Sequence, residues 1–509
     1  MSSSPRDHGD EAGGTTARGS IVNPLALPYP WWYELYQRIK LVPWWLRYKF
    51  GIGREAKFED EIVQLASSLG LQENWVRKVV DHAVTEFSKK GLGVDYYGYH
   101  SIDHELEATY FALLAAKGLE SGFSNEDLCY LFVSALFHDF DPIKEFDKPN
   151  EEAVEWFIRH DPRIRKFIHD AGISIDIVMV LIHHTAFPFR GEIREKAEKR
   201  MDELFASAGI PEGEEERRRH YKYLGWFLSV AERVAGYALG DFERAVELAE
   251  RNAHALGWHP SVINIESVQY FDILDEEKEM VEVVLGGAPE EYRKRFEDNV
   301  AKFREAYRKE MEIRDSVLSK KVSLTRRVEV IGPAEAGTVV SGRDDDPNLE
   351  EHMLGLYTLL PPPIRVNKDK FRKSLALRDT LLVTLRINGN RGTVVGYAKG
   401  GPLESYKLRR GTVDKNMGRK NTIYLEPMSI QPGYWGANGG HMLRGAFLSE
   451  AKKRGYRFLS AYAHRNVIER RMERGEPIAT VCKYDPDRLD YYRLDLTGLS
   501  EEEMQALDR

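Results

Sequence analysis

Cysteine is almost missing from this chain: Cys129 and Cys482 are the only two in 509 residues. Two thiols, in contexts that read as a helix and a strand, exclude a disulfide framework and a cysteine-rich zinc site. They suit a reducing cytoplasm. No apolar run approaches the roughly 18 residues that span a bilayer, so no transmembrane helix is expected. Charge of one sign is not in excess either. The 73 Lys and Arg against 81 Asp and Glu leave a net charge of -8. That mild balance argues against nucleic-acid binding by the whole surface, while a local basic groove stays open. No internal repeat relates the two halves.

What is present describes a globular protein with 42% hydrophobic and 30% charged residues. The length exceeds what one core ordinarily takes, so two or three domains are expected. The start, "MSSSPRDHGDEAGGTTARGS", is polar and has no apolar h-region. Residues 1–22 are therefore expected to be a disordered tail, neither signal peptide nor anchor. An aromatic-rich arm follows at 23–56, where Trp31, Trp32, Trp44 and Trp45 stand among Lys and Arg. Such a stretch can lie on a membrane interface or clamp onto the next domain, and aromatic burial is the commoner use.

From 57 to 285 apolar residues recur every three or four positions, as in "NWVRKVVDHAVTEFSKKG". That period predicts an all-α domain. "SNEDLCYLFVSALFHDF" opens with Ser124 and Asp127 spaced as a capping box. Residues 286–321 are a highly charged helix, read as a linker or a bundle edge with a solvated face. Near Val322 the pattern changes. "DTLLVTLRINGNRGTVVGYAKGG" alternates and carries Asn388-Gly389 at a turn, which predicts a hairpin. "NTIYLEPMSI" reads as a strand, "GGHMLRGAFLSEAKKRG" as a helix and "YRFLSAYAH" as a strand. The β-β-β-α-β order makes 322–490 a separate α/β domain, with 491–509 as a C-terminal tail. The expected fold class is thus multidomain, a helical bundle followed by an α/β unit.

The chemistry-bearing residues gather in the helical part. "GYHSIDH" puts His100 and His104 four positions apart, on one face if the stretch is helical. Two such imidazoles can bind a metal together, divide ligand and proton-donor duties, or simply pack. "ALFHDFD" places His138 beside Asp139 at the end of an apolar run, "LIHHTAFPF" holds His183 and His184, and "SVAERVAGY" sets Glu232 in an apolar helix. Adjacent helical residues point about 100° apart, so His138 and Asp139 can both ligate one metal only at a helix end or across a gap between helices. Imidazole with carboxylate suits Mn, Fe, Zn or Ni better than Ca. Each histidine alone is more often a satisfied core or surface residue than a ligand, and a buried Glu232 can pair with an Arg.

The order "YHSIDH", "FHDFD" and a later acidic residue in a helix resembles the HD-domain metal-dependent phosphohydrolases, closest to their cyclic-nucleotide phosphodiesterase branch. "KPNEEAVEWF" is similar to a segment of related bacterial and archaeal members. The resemblance covers roughly residues 90–270. It implies an HD-type helical fold with His104, His138, Asp139 and Glu232 as ligands of a divalent metal (Mn, Mg, Fe, Zn or Ni). It also implies His100 as proton donor and a small-molecule nucleotide as substrate. Glu232 stands where the family has Asp, and Pro142 where the phosphodiesterase branch has a further histidine. His183 or His184 is a candidate substitute. Asp141 and Lys144 follow the HD pair and can orient water or phosphate, or cap helix ends.

A second resemblance lies at about 375–480. "YLEPMSIQPGYWGANGGHMLRGAFLSEAKKRGYRFLSAYAHRN" resembles the GNAT N-acyltransferases. There a Gly-rich turn receives the pyrophosphate of acetyl-CoA at a helix N-terminus. The resemblance implies acyl-CoA contacts at Gln431, Gly436, Asn438, Gly439, Gly440 and Asn466, with Glu426 where some members keep a general base. Trp435 replaces the family's cation, Asn438 its middle glycine, and Met472 stands near the missing tyrosine donor. Glycines there are also what any tight turn needs. The leading expectation is a metal-dependent phosphodiesterase whose GNAT-like unit regulates or adds a second activity. The alternatives are an acetyl-CoA-dependent acyltransferase with the HD unit as nucleotide sensor or scaffold, and a non-enzymatic adaptor. A homo-oligomer is compatible with either enzyme.

Overall fold

The computed structural model describes residues 15–18, 58–93, 96–120, 122–144, 147–256, 262–329, 346, 348–360, 364–365, 368–375, 379–485 and 488–500. The expected tail at 1–22, apart from 15–18, and the aromatic arm at 23–56 lie outside them. The chain divides into two compact units, Trp31–Glu312 and Met1–Pro30 with Ile313–Arg509. Among the described residues the first is built from helices and their connecting loops, and the second on a mixed sheet. Among the described residues no helix is long and apolar enough to cross a membrane.

In the helical unit, helix Ile102–Lys117 packs against Asn125–Phe137 and Glu215–Leu239, and Ile175–His183 against the last two. Asn125–Phe137 begins where its sequence says: Ser124 Oγ accepts from the Asp127 N–H, and the Asp127 carboxylate accepts from the Ser124 N–H. That helix buries Leu128, Leu131, Phe132, Val133 and Leu136, each worth about 1.5–3 kcal/mol when fully removed from water. Its last turn delivers His138 as C-cap and Asp139 just beyond. Gly225 lets Glu215–Leu239 approach closely, because a Cβ there would lie 2.8 Å from His184 Cβ. The same helix carries Glu232 two turns further on.

The charged helix runs Glu290–Leu318, and the division between the units falls inside it. Its first part is a bundle edge: Phe296 and Phe303 are buried, and Asn299 Nδ2 donates to the Tyr237 and Gly240 carbonyls. Ile313 and Val317, near its end, pack on the core of the second unit.

The sheet of the second unit contains β1 (Thr15–Arg18), β2 (Leu324–Glu329), β3 (Leu381–Ile387), β4 (Val394–Pro402), β5 (Thr422–Leu425), β6 (Ser429–Ile430), β7 (Phe458–His464), β8 (Ile478–Asp485) and β9 (Leu489–Asp495). Their order is β1-β8-β9-β7-β5-β4-β3-β2, with β6 beside β4. β5 and β7 run parallel and pair only from Thr422–Tyr424 to Phe458–Ser460. Helix Gly439–Lys453 covers one face through Leu443, Phe447, Leu448 and Ala451. Met353, Leu356, Tyr357, Phe371 and Leu375 cover part of the other. Asn388 and Gly389 take positive φ (58° and 105°) between β3 and β4, as the hairpin signal predicts.

Three features differ from the sequence expectation. "NTIYLEPMSI" is two strands rather than one: Pro427 brings no N–H to the ladder, and β5 and β6 pair with β4 separately on either side of it. Two helices, Leu349–Tyr357 and Lys368–Leu375, precede β3. The first buries Leu349, Met353 and Leu356 at helical spacing. The sheet also runs past residue 490, because β9 continues to Asp495 with Tyr491, Tyr492 and Leu494 buried.

Candidate metal centre

His104, His138 and Asp139 converge. One ligand atom from each lies within 4.8 Å of the others, and all three residues are buried. Asp139 Oδ2 is 3.3 Å from His104 Nε2 and 3.3 Å from His138 Nε2. Two ligands about 2.1 Å from a common ion, at right or tetrahedral angles, lie about 3.0–3.4 Å apart. Glu232 Oε2 stands 3.7 Å from His104 Nε2, a little wider. Neither histidine Nε2 makes a hydrogen bond. A buried nitrogen left in that state costs free energy unless something binds it. Two such nitrogens facing two carboxylates fit a divalent cation.

The electrostatics agree with that fit. Burial pushes His104 down to about 4, against the pull of Asp139. Burial also lowers His138, but the Asp139, Glu105 and Glu232 carboxylates outweigh it and hold the imidazole well above its usual range. For Asp139 burial works upward, yet the His138, His100 and His104 rings keep its carboxyl well below the ordinary range. Burial raises Glu232 to about 7, with His138 offsetting only part. Without an ion, protons partly balance this concentration of carboxylate; a metal takes their place when it binds.

His100 does not share a helix face with His104. The helix starts at Ile102 after an extended Ser101 (φ -126°, ψ 171°), so His100 precedes the N-cap. Its ring meets that of His104 edge to face, with centroids 5.8 Å apart. His100 Nε2 lies 3.9 Å from Asp139 Oδ2. The two histidines therefore meet at one site from different backbone states. Burial lowers His100, but Asp139 and Asp147 outweigh it and its pKa is raised.

Other residues named from sequence serve elsewhere. Asp141 accepts from the Ile143 and Asn150 N–H groups and shapes the loop. Asn150 in turn caps helix Glu151–His160. Lys144 Nζ bonds the His100 carbonyl (2.7 Å) and pairs with Asp147 (3.0 Å). His183 Nε2 pairs with Glu155 at 3.2 Å in a network with Arg159 and Arg200. His184 stacks on Phe189 with ring centroids 4.3 Å apart, and burial lowers its pKa to about 4. Neither belongs to the convergent group.

Two residues escaped the sequence reading. Glu105 is fully buried, with Oε2 2.9 Å from His138 Nδ1, whose hydrogen goes to the Ala135 carbonyl at 2.8 Å. Those contacts place the ring hydrogen on Nδ1 and turn Nε2 toward Asp139. Its signal was a Glu directly after His104, inside an otherwise apolar helix. Asp147 lies in the charged loop "IKEFDKPN", which in sequence looks like any solvated turn.

In the second unit the turn before helix Gly439–Lys453 keeps its backbone shape. Asn438 is left-handed (φ 68°), Gly436 lies in the short 3-10 turn, and the Gln431 N–H donates to the Val395 carbonyl. A Cβ on Gly440 would lie 2.5 Å from the Trp435 ring, and one on Gly439 2.8 Å from the Tyr434 carbonyl oxygen. Trp435 Nε1 donates to the Ile430 carbonyl at 3.0 Å. These glycines thus make room for the protein's own groups. Glu426 accepts from the Tyr406 hydroxyl (2.7 Å) and pairs with buried Lys399, which also donates to Ser374 Oγ. The Asn466 N–H donates to His464 Nδ1 at the start of helix Arg465–Glu473.

No family model matches the chain, and no curated protein does. Among solved structures it is similar in part to the phosphodiesterase domain of Salpingoeca rosetta rhodopsin phosphodiesterase. The identity is 12%, over 51% of this chain and 89% of that one, with a TM-score of 0.34. A Salmonella typhimurium protein solved with its cofactor acetyl-CoA is 17% identical over 35% of this chain and 96% of its own, with a TM-score of 0.24. An N-acetyltransferase from Staphylococcus aureus Mu50 is 18% identical over 34% and 99%, with a TM-score of 0.22. One of these neighbours is a phosphodiesterase domain and one an N-acetyltransferase.

Proposed function

We propose that the helical unit is a divalent-metal-dependent phosphohydrolase that hydrolyses the phosphodiester of a cyclic nucleotide such as 3′,5′-cAMP. The observation that carries this reading is the pair of buried, hydrogen-bond-free Nε2 atoms of His104 and His138 converging on Asp139. His104, His138, Asp139 and Glu232 would hold the ion, one of Mn, Mg, Fe, Zn or Ni. When bound, the metal neutralises charge on the phosphate oxygens and lowers the pKa of water. Glu105 holds His138 with Nε2 toward the site. His100 gives a proton from Nε2 to the departing ribose oxygen, a contribution of about 10²- to 10⁴-fold for general acids of this kind. In this reading the GNAT-like unit is sensory or structural, because Trp435 packs against Gly440 where the family has a cation and Lys399 engages Glu426.

The test is hydrolysis of 3′,5′-cyclic, 2′,3′-cyclic and linear nucleotides by the purified protein with each of the five metals. Metal-dependent turnover of 3′,5′-cyclic nucleotides, lost in Asp139→Ala, is expected. Turnover that ignores metal, or survives in Asp139→Ala, would overturn the reading.

A further inference from the structure

We infer that Asp147 is the positioning residue for His100, holding its ring so that Nε2 faces the donor group; this rests on the site reading above. Asp147 sits eight residues beyond Asp139 with a left-handed backbone, φ 56°. Asp tolerates that conformation without preferring it, so its surroundings must hold it there. They do so densely. Oδ1 accepts from the Tyr96 hydroxyl at 2.8 Å and from Lys144 Nζ at 3.0 Å. Oδ2 accepts from the Tyr99 N–H at 2.8 Å and the His100 N–H at 3.3 Å. The His100 ring turns its Nδ1 edge toward the same oxygen, 3.5 Å away and beyond a formed hydrogen bond. Lys144 closes the arrangement by donating to the His100 carbonyl at 2.7 Å.

A clamp for the loop needs only the backbone bonds. The ring contact is separate, and its consequence is chemical. With the Nδ1 hydrogen directed at Asp147, Nε2 is the nitrogen that faces Asp139, 3.9 Å away, and a phosphate bound there. In the reaction the phosphorus–oxygen bond to the leaving group breaks and its electron pair stays on that oxygen. The proton on Nε2 moves to the oxygen, and the N–H pair remains on Nε2. The ring is left neutral, with its remaining hydrogen on Nδ1 facing Asp147. Water supplies the new oxygen–phosphorus bond and releases one proton to solvent. Asp147 touches neither substrate nor metal in this scheme and acts through His100.

Leaving-group dependence separates positioning from mere loop structure. A ribose alkoxide needs protonation to depart, whereas 4-nitrophenolate does not. Wild type, Asp147→Asn and His100→Gln are compared on a 3′,5′-cyclic nucleotide and on bis(4-nitrophenyl) phosphate, with bound metal measured in each. Asp147→Asn should lose about 10²-fold on the cyclic nucleotide and far less on the aryl ester, at unchanged metal content. The alkyl-to-aryl ratio should move as it does in His100→Gln. Because both rates come from one sample, partial unfolding cancels in the ratio. Should Asp147→Asn not fold, Tyr96→Phe removes one bond to Oδ1 and is expected to shift the ratio less, in the same direction. A wild-type ratio in the folded variant, while His100→Gln shifts it, would overturn the inference. Absence of metal-dependent turnover of either ester by wild type would instead overturn the reading of the site.

Discussion

The two units each carry candidate residues in a motif-like order, but they use their polar atoms differently. In the helical unit the Nε2 atoms of His104 and His138 are buried and bonded to nothing, facing Asp139 and Glu232. In the α/β unit the corresponding candidates are engaged within the fold. Glu426 holds Lys399 and Tyr406, and Gly439 and Gly440 accommodate Tyr434 and Trp435. Residue types at the right spacing therefore do not make a site. What matters is whether the fold leaves their donor atoms for a ligand.

The sharpest way to break that contrast is the Lys399–Glu426 pair. Removing one partner of a buried pair leaves an uncompensated charge and costs about 3–5 kcal/mol, whereas replacing both with apolar groups is often neutral. Lys399→Met should destabilise the α/β unit by that amount in chemical denaturation, and Lys399→Met with Glu426→Leu should recover most of it. A mild single-variant effect would mean that Glu426 is less committed to structure than its contacts indicate.

His184 sharpens the comparison from the helical side, as a histidine outside the donor group. Its pKa is about 4 in the folded state and 6.5 when unfolded. Between those values the unfolded chain binds more protons, so stability falls as pH drops from 6.5 to 4. The shift corresponds to about 3 kcal/mol across that window. His184→Phe should flatten this part of the stability-versus-pH curve, followed by circular dichroism in urea. An unchanged slope would assign the pH dependence to other groups.

Glu105 supports the ligands without belonging to them, and loss of such outer contacts lowers metal affinity about 10- to 100-fold. Glu105→Gln should do so in calorimetric titration while the helical unit stays folded. The smallest effect is expected at Gly440→Ala. The added methyl meets a side-chain ring rather than backbone, which costs about 1 kcal/mol, the low end for overpacking. In a Trp435→Ala background the same change should be nearly silent. A cost that persists there would show that Gly440 is required by something other than the indole.

Much of this was legible in the sequence because it is local. The Ser124–Asp127 cap, the HD pair at a helix end and the Asn388–Gly389 turn depend on neighbours a few residues away. The convergence of His104 with His138 and Asp139 was reachable only through the ordered motif, since His104 comes from a different helix. His100 was misread as helical because an i, i+4 spacing says nothing about where the N-cap falls. Asp147 was invisible for a related reason. Its partners Tyr96, Tyr99 and His100 lie 47 to 51 residues away, and charged loop residues look alike until folded. In the α/β unit Trp435 was noted as a departure, but its ring packing against Gly440 is a tertiary fact.

The account stands on whether the helical unit's free donors hold a metal. The most direct measurement is equilibrium metal binding by the purified full chain and by Asp139→Ala, with Mn, Mg, Fe, Zn and Ni in turn. Wild type should bind at least one divalent ion per chain, and Asp139→Ala should lose it while its circular dichroism stays unchanged. No binding by wild type, or equal binding by a folded Asp139→Ala, would contradict the account.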